Sequence, residues 1–442
     1  MSTQSTRQIG IVGTFDVQNY GDLLFPLLAE EELGKRLGPI RMHRFSYHAR
    51  TTPSWPYAVS SLTELPALVD DLDGLLIGGG FLIRFDKVIA PGYAPPTPYI
   101  HHPTGYWLTP ALMAAQRGIP VIWNAPGMHC NDIPPWGVTL LRLALMSSPC
   151  VKVRDELSRD ALQSICPLAK IEILPDTAFA LPQLLDSQQP SAPFMQLRHA
   201  VGLGPRYIVI HALSLAEPYI QMLENDPAAF ANLQIVLIPI GPVLDDDSAL
   251  LRARLPQAIC LPYWPQPLLL AEILSHAQAL IGYSYHLAIT GLAFGVPVFC
   301  LADLHEGKYT ALADFPGIFA LPTGEVPSTQ WFQQRIGKCQ PSPQAQAASK
   351  AVQAYWDTAA AAIKGGRTRP PVAINAFWLD LPNLLEGPSP TTWLDLREQL
   401  ANSEARVQQL QNSKSLRLTA PLRAIGRALR HFKRSRSVHA EH

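Results

Sequence analysis

The sequence predicts an α/β protein built from two domains, each a parallel sheet with helices on both faces, followed by a helical tail. Three observations carry this. Short apolar runs of strand length recur in two series, separated by a Pro/Gln/Ser-rich stretch. The segments between the runs repeat apolar residues at helical spacing. The runs are apolar throughout rather than alternating, as strands buried on both faces are. At 442 residues and 48% hydrophobic, the chain is long enough for two cores, at roughly 100–200 residues per domain.

In the first series, "IGIVGT" (9–14) passes through the loop "FDVQNYGD" into "LLFPLLAEEELGKRL", giving a strand, a loop and a helix. "LDGLLIGGG" (72–80), "GIPVIWNAPGM" (118–128), "CVKVRDELSRDAL" (150–162) and "IEILPDTAF" (171–179) each set an apolar strand before a loop of Gly, Pro, Asp or Arg. Residues 181–204 lose the pattern and read as a linker. The second series follows: "RYIVIHAL" (206–213), "LQIVLIPIG" (233–241), "AQALIGYS" (277–284) and "GVPVFCL" (295–301). The expected boundaries are 7–190 and 205–365 for two Rossmann-like domains and 388–442 for the tail. Two such domains facing across a cleft give a glycosyltransferase-like (GT-B-like) architecture. Ligands then bind beyond the carboxyl ends of the strands, in the cleft.

Charge is balanced overall at 35 basic and 35 acidic residues, but from residue 413 onward eight Lys or Arg face one acid, leaving the body with a net charge of −7. A mildly acidic body argues against nucleic-acid binding, and a basic tail argues for a surface-seeking segment. In "SLRLTAPLRAIGRALRHFKRSR", Leu418, Leu422, Ile425, Leu429 and Phe432 share one helical face and the basic residues the other, a pattern that suits a membrane surface or a partner. Trp393, Leu396, Leu400, Val407 and Leu410 make a short coiled-coil-like repeat interrupted by Ser403, and a homo-oligomer is left open. The six cysteines form no CxxC pair and no Cys/His ligand spacing, so neither zinc nor a disulfide framework is expected. "MSTQSTRQIGIVG" lacks the features of a signal peptide, so a cytoplasmic protein is expected, docked by its tail at the inner membrane face. The uncharged run 279–302 has the length of a membrane span, but Ser284, His286, Gly291, Gly295 and Pro297 split it into strand, loop, helix and strand.

Within that run, "GYSYHLAITGLAFGVPVFC" sets one histidine, His286, at the front of a small, glycine-punctuated apolar helix. Such a histidine is either packed and satisfied or placed to act. The ordered set "NYGD" (19–22), "IGGG" (77–80), "VRDELS" (153–158), "PDTAF" (175–179), "IPIG" with the acidic run 245–247, "YSYHLAITGLAFGVPV" and Lys308 resembles the polysaccharide pyruvyltransferase family over about residues 9–310. The resemblance implies transfer of pyruvyl from phosphoenolpyruvate, as a donor substrate with no further cofactor and no metal, to a sugar of a cell-surface glycan or its lipid-linked precursor, forming a ketal across two hydroxyls.

Phosphoenolpyruvate carries a carboxylate and a phosphate, so its site needs cations, backbone amides or a helix N-terminus. Arg154, between a strand and a helix, suits a bidentate grip on either anion; its alternative is an ion pair with Asp155 or Glu156. Lys308, beyond the last strand of the second series, could hold phosphate as a point charge or lie on the surface. His286, in the first helical turn, could protonate the methylene carbon and take a proton back from a hydroxyl. Ser284 reads as a helix N-cap where the family usually carries an arginine, and Arg84 is the candidate to supply that charge from the facing domain. Similarly, His211 stands where relatives often have arginine. In "NYGD", Gly21 permits a tight turn and Asp22 can cap the next helix, while Asn19 and Asp22 either face the acceptor or only shape the turn. Gly78, Gly79 and Gly80 allow backbone to approach a ligand or simply bend the chain; without a P-loop lysine they point weakly to nucleotide.

Two other readings follow from the same residues. One is a glycosyltransferase using a nucleotide sugar, although "AITGLAFGVP" offers no acid for a ribose and Glu306 is the nearest downstream candidate. The other is a catalytically inactive relative acting as a scaffold, which the serine at 284 suggests.

Overall fold

Two parallel sheets, each with its strand order reversing at one point, organise the protein. The computed structural model describes residues 6–85, 103–128, 133–186, 189–322 and 324–386. The first sheet contains β1 (Arg7–Val12), β2 (Ile40–Ser46), β3 (Ser60–Ser61), β4 (Gly74–Ile77), β5 (Val121–Asn124), β6 (Cys150–Val153) and β7 (Ile171–Ile173), in the order β3-β2-β1-β4-β5-β6-β7. The second contains β8 (Tyr207–His211), β9 (Gln234–Ile238), β10 (Ile259–Cys260), β11 (Ala279–Gly282), β12 (Val298–Cys300) and β13 (Ile318–Ala320), in the order β10-β9-β8-β11-β12-β13. Every pairing within them is parallel. β4, β5, β8 and β11 are buried along their whole length, as their continuous apolar runs require. β2, β3, β10 and β13 were not read from sequence. β2 mixes Arg and His with apolar residues because only the two-residue β3 covers its outer side, while β10 and β13 are too short to leave a pattern.

Helices of nine residues or more are α1 (Tyr20–Leu37), α2 (Leu108–Gln116), α3 (Pro135–Met146), α4 (Glu156–Ile165), α5 (Ala192–Val201), α6 (Glu217–Asn225), α7 (Pro267–Ser275), α8 (Tyr285–Phe294), α9 (Pro343–Lys364) and α10 (Val372–Glu386). The expected linker contains α5. Its local signals are helical after all: Ser191 caps it by accepting from the amide of Phe194, a proline stands in its first turn, and Gly202 closes it in the left-handed conformation at φ 67°. Ser191 also donates to the buried Glu272 of α7, so the segment is docked.

The helix α9, placed by sequence at the end of the second domain, returns to the first sheet. Arg36 of α1 binds Asp357 (2.7 Å) and the Gln353 carbonyl (3.1 Å), and Ile363 packs where a side chain on Gly74 would otherwise stand. One apolar core therefore runs through both lobes, from Leu28 of α1 through Ile289 of α8 to Val352 and Trp356 of α9. Full burial of side chains this large contributes about 1.5–3 kcal/mol each. Residues 1–375 form one compact unit, and a second begins at Ala376. The basic tail and the heptad-like repeat lie outside the described residues. No described helix is long and apolar enough to cross a membrane, and run 279–302 is divided into β11, α8 and β12 as expected.

Candidate active site

The strand orders reverse between β1 and β4 in the first sheet and between β8 and β11 in the second. Loops that leave a sheet at such a point diverge and open a crevice. Here the two crevices face each other around a cavity of about 610 Å³, walled by Thr14, Asn19, Asp22, Gly80, Phe81 and Arg84 from the first lobe and by His211, Ser214, Tyr283, Ser284, Tyr285 and His286 from the second, with Arg154 and Lys308 between.

The glycine-punctuated segment owes its composition to close approach. All ten residues of α8 are buried. A methyl on Gly291 would lie 2.4 Å from Val298, and one on Gly282 would lie 2.9 Å from His211, so the helix can start directly beyond β11 only with small residues there. Ser284 is its N-cap as expected, accepting from the amide of Leu287 at a long 3.4 Å. The unpaired amides of this first turn, with the positive end of the helix dipole, front the cavity.

Arg154 is 3% exposed and lies at the carboxyl end of β6. The ion-pair alternative is present, with its Nε donating to Asp155 at 3.2 Å, while its Nη2 is buried with no hydrogen-bond partner among the described residues. The guanidinium stands 4.0 Å from the centre of the Phe81 ring and 5.1 Å from that of Tyr285. Lys308 shares the same two rings, at 5.2 and 5.8 Å, and adds Tyr309 at 5.1 Å. Burial first, and Arg154 second, push Lys308 down to about 8, against the opposing pull of Asp22, Cys300 and Asp176. Two like charges held on common aromatic faces make a site for an anion. The loop "NAPG" (124–127) closes this corner. Gly127 donates to Gly80 (2.7 Å) and accepts from Ile83 (3.1 Å), and its missing side chain makes room for the guanidinium. Ala125 beside it holds φ 51°, a costly conformation for a residue with a Cβ.

His286 is 8% exposed. Its Nε2 stands 3.4 Å from Asp176 Oδ2, and the ring meets Phe25 edge-on at 5.3 Å. Asp176 is buried and accepts from the amide of Ala178. Burial would raise its carboxyl, but His286, that amide and Arg154 together hold it below the usual carboxylate range. Nε2 faces Asp176, Gly21 of α1 packs against the ring on its Nδ1 side, and the residue lines the cavity. Asp176 lies within "PDTAF", a motif whose sequence alone assigns it no role. The signal was present, since an aspartate two residues before a buried amide is an Asx cap, yet its approach to His286 depends on tertiary packing.

Asn19, not Asp22, is the cap of α1, its side chain accepting from Gly21. Asp22 sits one turn in and lines the cavity, with its Oδ1 3.0 Å from where a Gly80 side chain would begin. Gly80 needs its left-handed φ of 80°. Gly79 is not on the cavity wall: it packs against Phe25, where a methyl would lie 2.3 Å from the ring. Arg84 lines the cavity from the first lobe, opposite Ser284. His211 is also in the wall, but both its nitrogens are occupied, Nε2 by Asp246 (2.6 Å) and Nδ1 by the amide of Tyr283 (3.4 Å). Asp246 accepts in addition from the amides of Ile240 and Gly241, so the pair is a strut. Glu306 is exposed and outside the cavity.

A cleft at the facing switch points of two doubly wound sheets, with cations and a histidine–carboxylate pair in it, belongs to an α/β protein of the GT-B fold class. The family model for polysaccharide pyruvyl transferases matches residues 19–305, and the chain belongs to that family of transferases. Among solved structures, UDP-GlcNAc 2-epimerase from Methanocaldococcus jannaschii is similar at a TM-score of 0.51 and 12% identity, over 79% of this chain and 99% of that one. UDP-GlcNAc 2-epimerase from Neisseria meningitidis bound to UDP-GlcNAc aligns at 0.47 and 14% (86% and 100% of the chains). A UDP-forming trehalose-phosphate synthase from Burkholderia xenovorans aligns at 0.41 and 12% (86% and 99%). At such identity, likeness speaks for the fold alone. No curated protein matches the chain.

Proposed function

We propose that the protein transfers pyruvyl from phosphoenolpyruvate to two hydroxyls of a sugar in a cell-surface glycan or its lipid-linked precursor. The observation that carries the reading is the pairing of Arg154 and Lys308 on the shared faces of Phe81 and Tyr285, beside the first turn of α8. A ligand with both phosphate and carboxylate would meet an unpaired guanidinium donor, an ammonium and a helix N-terminus together. Arg84 adds a third cation to the wall.

In this reading, protonated His286 gives a proton to the methylene carbon of phosphoenolpyruvate, and Asp176 stabilises the imidazolium. A sugar hydroxyl bonds to the adjacent cationic carbon and returns its proton to His286. The carbon–oxygen bond to phosphate then breaks, the second hydroxyl closes the ketal, and its proton leaves with inorganic phosphate. No water is consumed, so a site walled by aromatic rings suits the chemistry.

The test compares phosphoenolpyruvate with UDP-sugars in thermal shift and follows phosphate release with candidate acceptors. Stabilisation by phosphoenolpyruvate supports the reading, and stabilisation by a UDP-sugar alone would overturn it. Docking at the inner membrane face through the basic tail belongs to the same proposal. Removing residues 413–442 should weaken binding to anionic vesicles, and unchanged binding refutes that part.

A further inference from the structure

We propose that the "NYGD" turn (19–22) is an interlobe latch that positions His286, with Gly21 and Tyr20 as positioning residues for proton transfer. The inference rests on the reading of His286 as the acid. His286 belongs to the second lobe through α8, where Tyr285 meets its ring edge-on at 5.8 Å, yet Asp176 and Phe25, which also meet the ring, belong to the first. The first turn of α1 packs against the imidazole so closely that a methyl on Gly21 would lie 1.9 Å from Nδ1, 2.3 Å from Cγ and 2.5 Å from Cε1. Only glycine leaves room for this contact.

The neighbouring residue ties down the other side. The Thr290 hydroxyl donates to the His286 carbonyl at 2.8 Å, so in the 2.7 Å contact between Tyr20 and Thr290 the tyrosine is the donor. Both side chains are wholly buried. The Tyr20 amide also donates to the Ile240 carbonyl (3.0 Å), and the Val243 amide to the Gln18 carbonyl (3.3 Å). Asn19 holds the turn in shape by accepting from Gly21 at 3.1 Å. The turn therefore grips the second lobe at α8 and at the "IPIG" loop, and that grip brings the imidazole against its carboxylate. If the lobes slip, His286 moves away from Asp176 and proton transfer fails, while Arg154 and Phe81, both of the first lobe, stay together.

The experiment uses full-length Gly21→Ala and Tyr20→Phe. A misplacement of about 1 Å costs on the order of 100-fold in rate, so kcat should fall by about that much in Gly21→Ala and about 10-fold in Tyr20→Phe, with the donor KM changed by less than about 3-fold. Acylation of His286 by diethyl pyrocarbonate, followed by mass spectrometry, should be faster in both variants than in the parent. Unchanged kcat and acylation in Tyr20→Phe would overturn the latch, as would a rise in KM alone. Tyr20→Phe carries the test where Gly21→Ala does not fold. If the parent enzyme neither turns over phosphoenolpyruvate nor is protected by it, the donor reading fails. The acylation rates still decide the latch: faster in the variants supports it, equal overturns it.

Discussion

Lys308→Met should make the empty protein more stable while removing its hold on the donor. Burial first and Arg154 second lower Lys308 from the ordinary 10.5 to about 8. The folded state thus disfavours the ammonium relative to the unfolded chain. At pH 7 both states carry the proton and the penalty is present in full; it fades between about pH 8 and 10.5, where only the unfolded chain keeps the proton. At about 1.4 kcal/mol per pH unit, a displacement of this size is worth at most about 3.5 kcal/mol, less whatever screening the partly exposed side chain receives. Methionine has similar length, carries no charge, and sets a polarisable sulfur among Phe81, Tyr285 and Tyr309. The compact unit spans 375 residues, so with an unfolding entropy of about 2.1 cal/mol/K per residue the gain is up to roughly 4 °C in Tm. Scanning fluorimetry at pH 7 should show the variant melting higher than the parent but without the parent's shift on adding phosphoenolpyruvate. Near pH 10 the two melting temperatures should converge. A variant that melts lower at pH 7 and stays lower at pH 10 would refute the strained lysine, and one that keeps the ligand shift would remove Lys308 from the donor site.

The same electrostatics gives a binding prediction: a bound anion restores the proton on Lys308, so affinity for phosphoenolpyruvate should weaken as pH rises through about 8; calorimetric titrations giving a flat dependence up to pH 9 would contradict the contact. Asp176→Asn keeps the shape but removes the charge that faces His286, and should lower kcat by about 100-fold or more with a donor KM within a few-fold; a loss confined to KM would assign Asp176 to donor binding instead. Ser284→Arg adds the cation that the family resemblance implies at this position and breaks an N-cap bond already long at 3.4 Å. It should cost about 0.5–1 kcal/mol in stability while lowering the donor KM, and an unchanged KM would mean that Arg84 already fills the place.

Arg154, His286 and Lys308 were legible because each follows a strand in a doubly wound series, and chain order alone brings such positions to the cleft. The helix at Ser284 was legible for a similar reason, since its cap and its small residues are local signals. Asp176 was not, because its role depends on the loop after β7 folding beneath α8, a contact between residues more than a hundred positions apart. The misreading of 181–204 was of another kind. Ser191, a proline in the first turn and Gly202 are helix punctuation, but the Gln and Pro content around them suggested linker. The return of α9 to the first lobe has no sequence marker, because an amphipathic helix shows that it covers a core without showing which one. The glycines of "IGGG" illustrate the limit within one motif: Gly80 lines the cavity, and Gly79 packs on Phe25 behind it.

The charges in the cleft also bear on which donor it suits. A nucleotide sugar brings a ribose whose hydroxyls are commonly held by a carboxylate. Of the acids in the wall, Asp246 is committed to His211 and to the amides of Ile240 and Gly241, and Asp22 lies at Gly80 where it draws on Lys308. Glu306, the remaining candidate, faces solvent. Against these stand Arg84, Arg154 and Lys308, with a helix N-terminus beside them. Such a wall is strained when empty: burial first and Arg154 second lower the Lys308 pKa, and Arg154 holds a buried donor without a partner among the described residues. A small ligand with a phosphate and a carboxylate close together would relieve both at once, as would the diphosphate of a nucleotide sugar, so it is the lack of a free carboxylate for a ribose among the described wall residues that favours the smaller donor. Under the proposed function, Arg84 would supply from the facing lobe the charge that Ser284 does not.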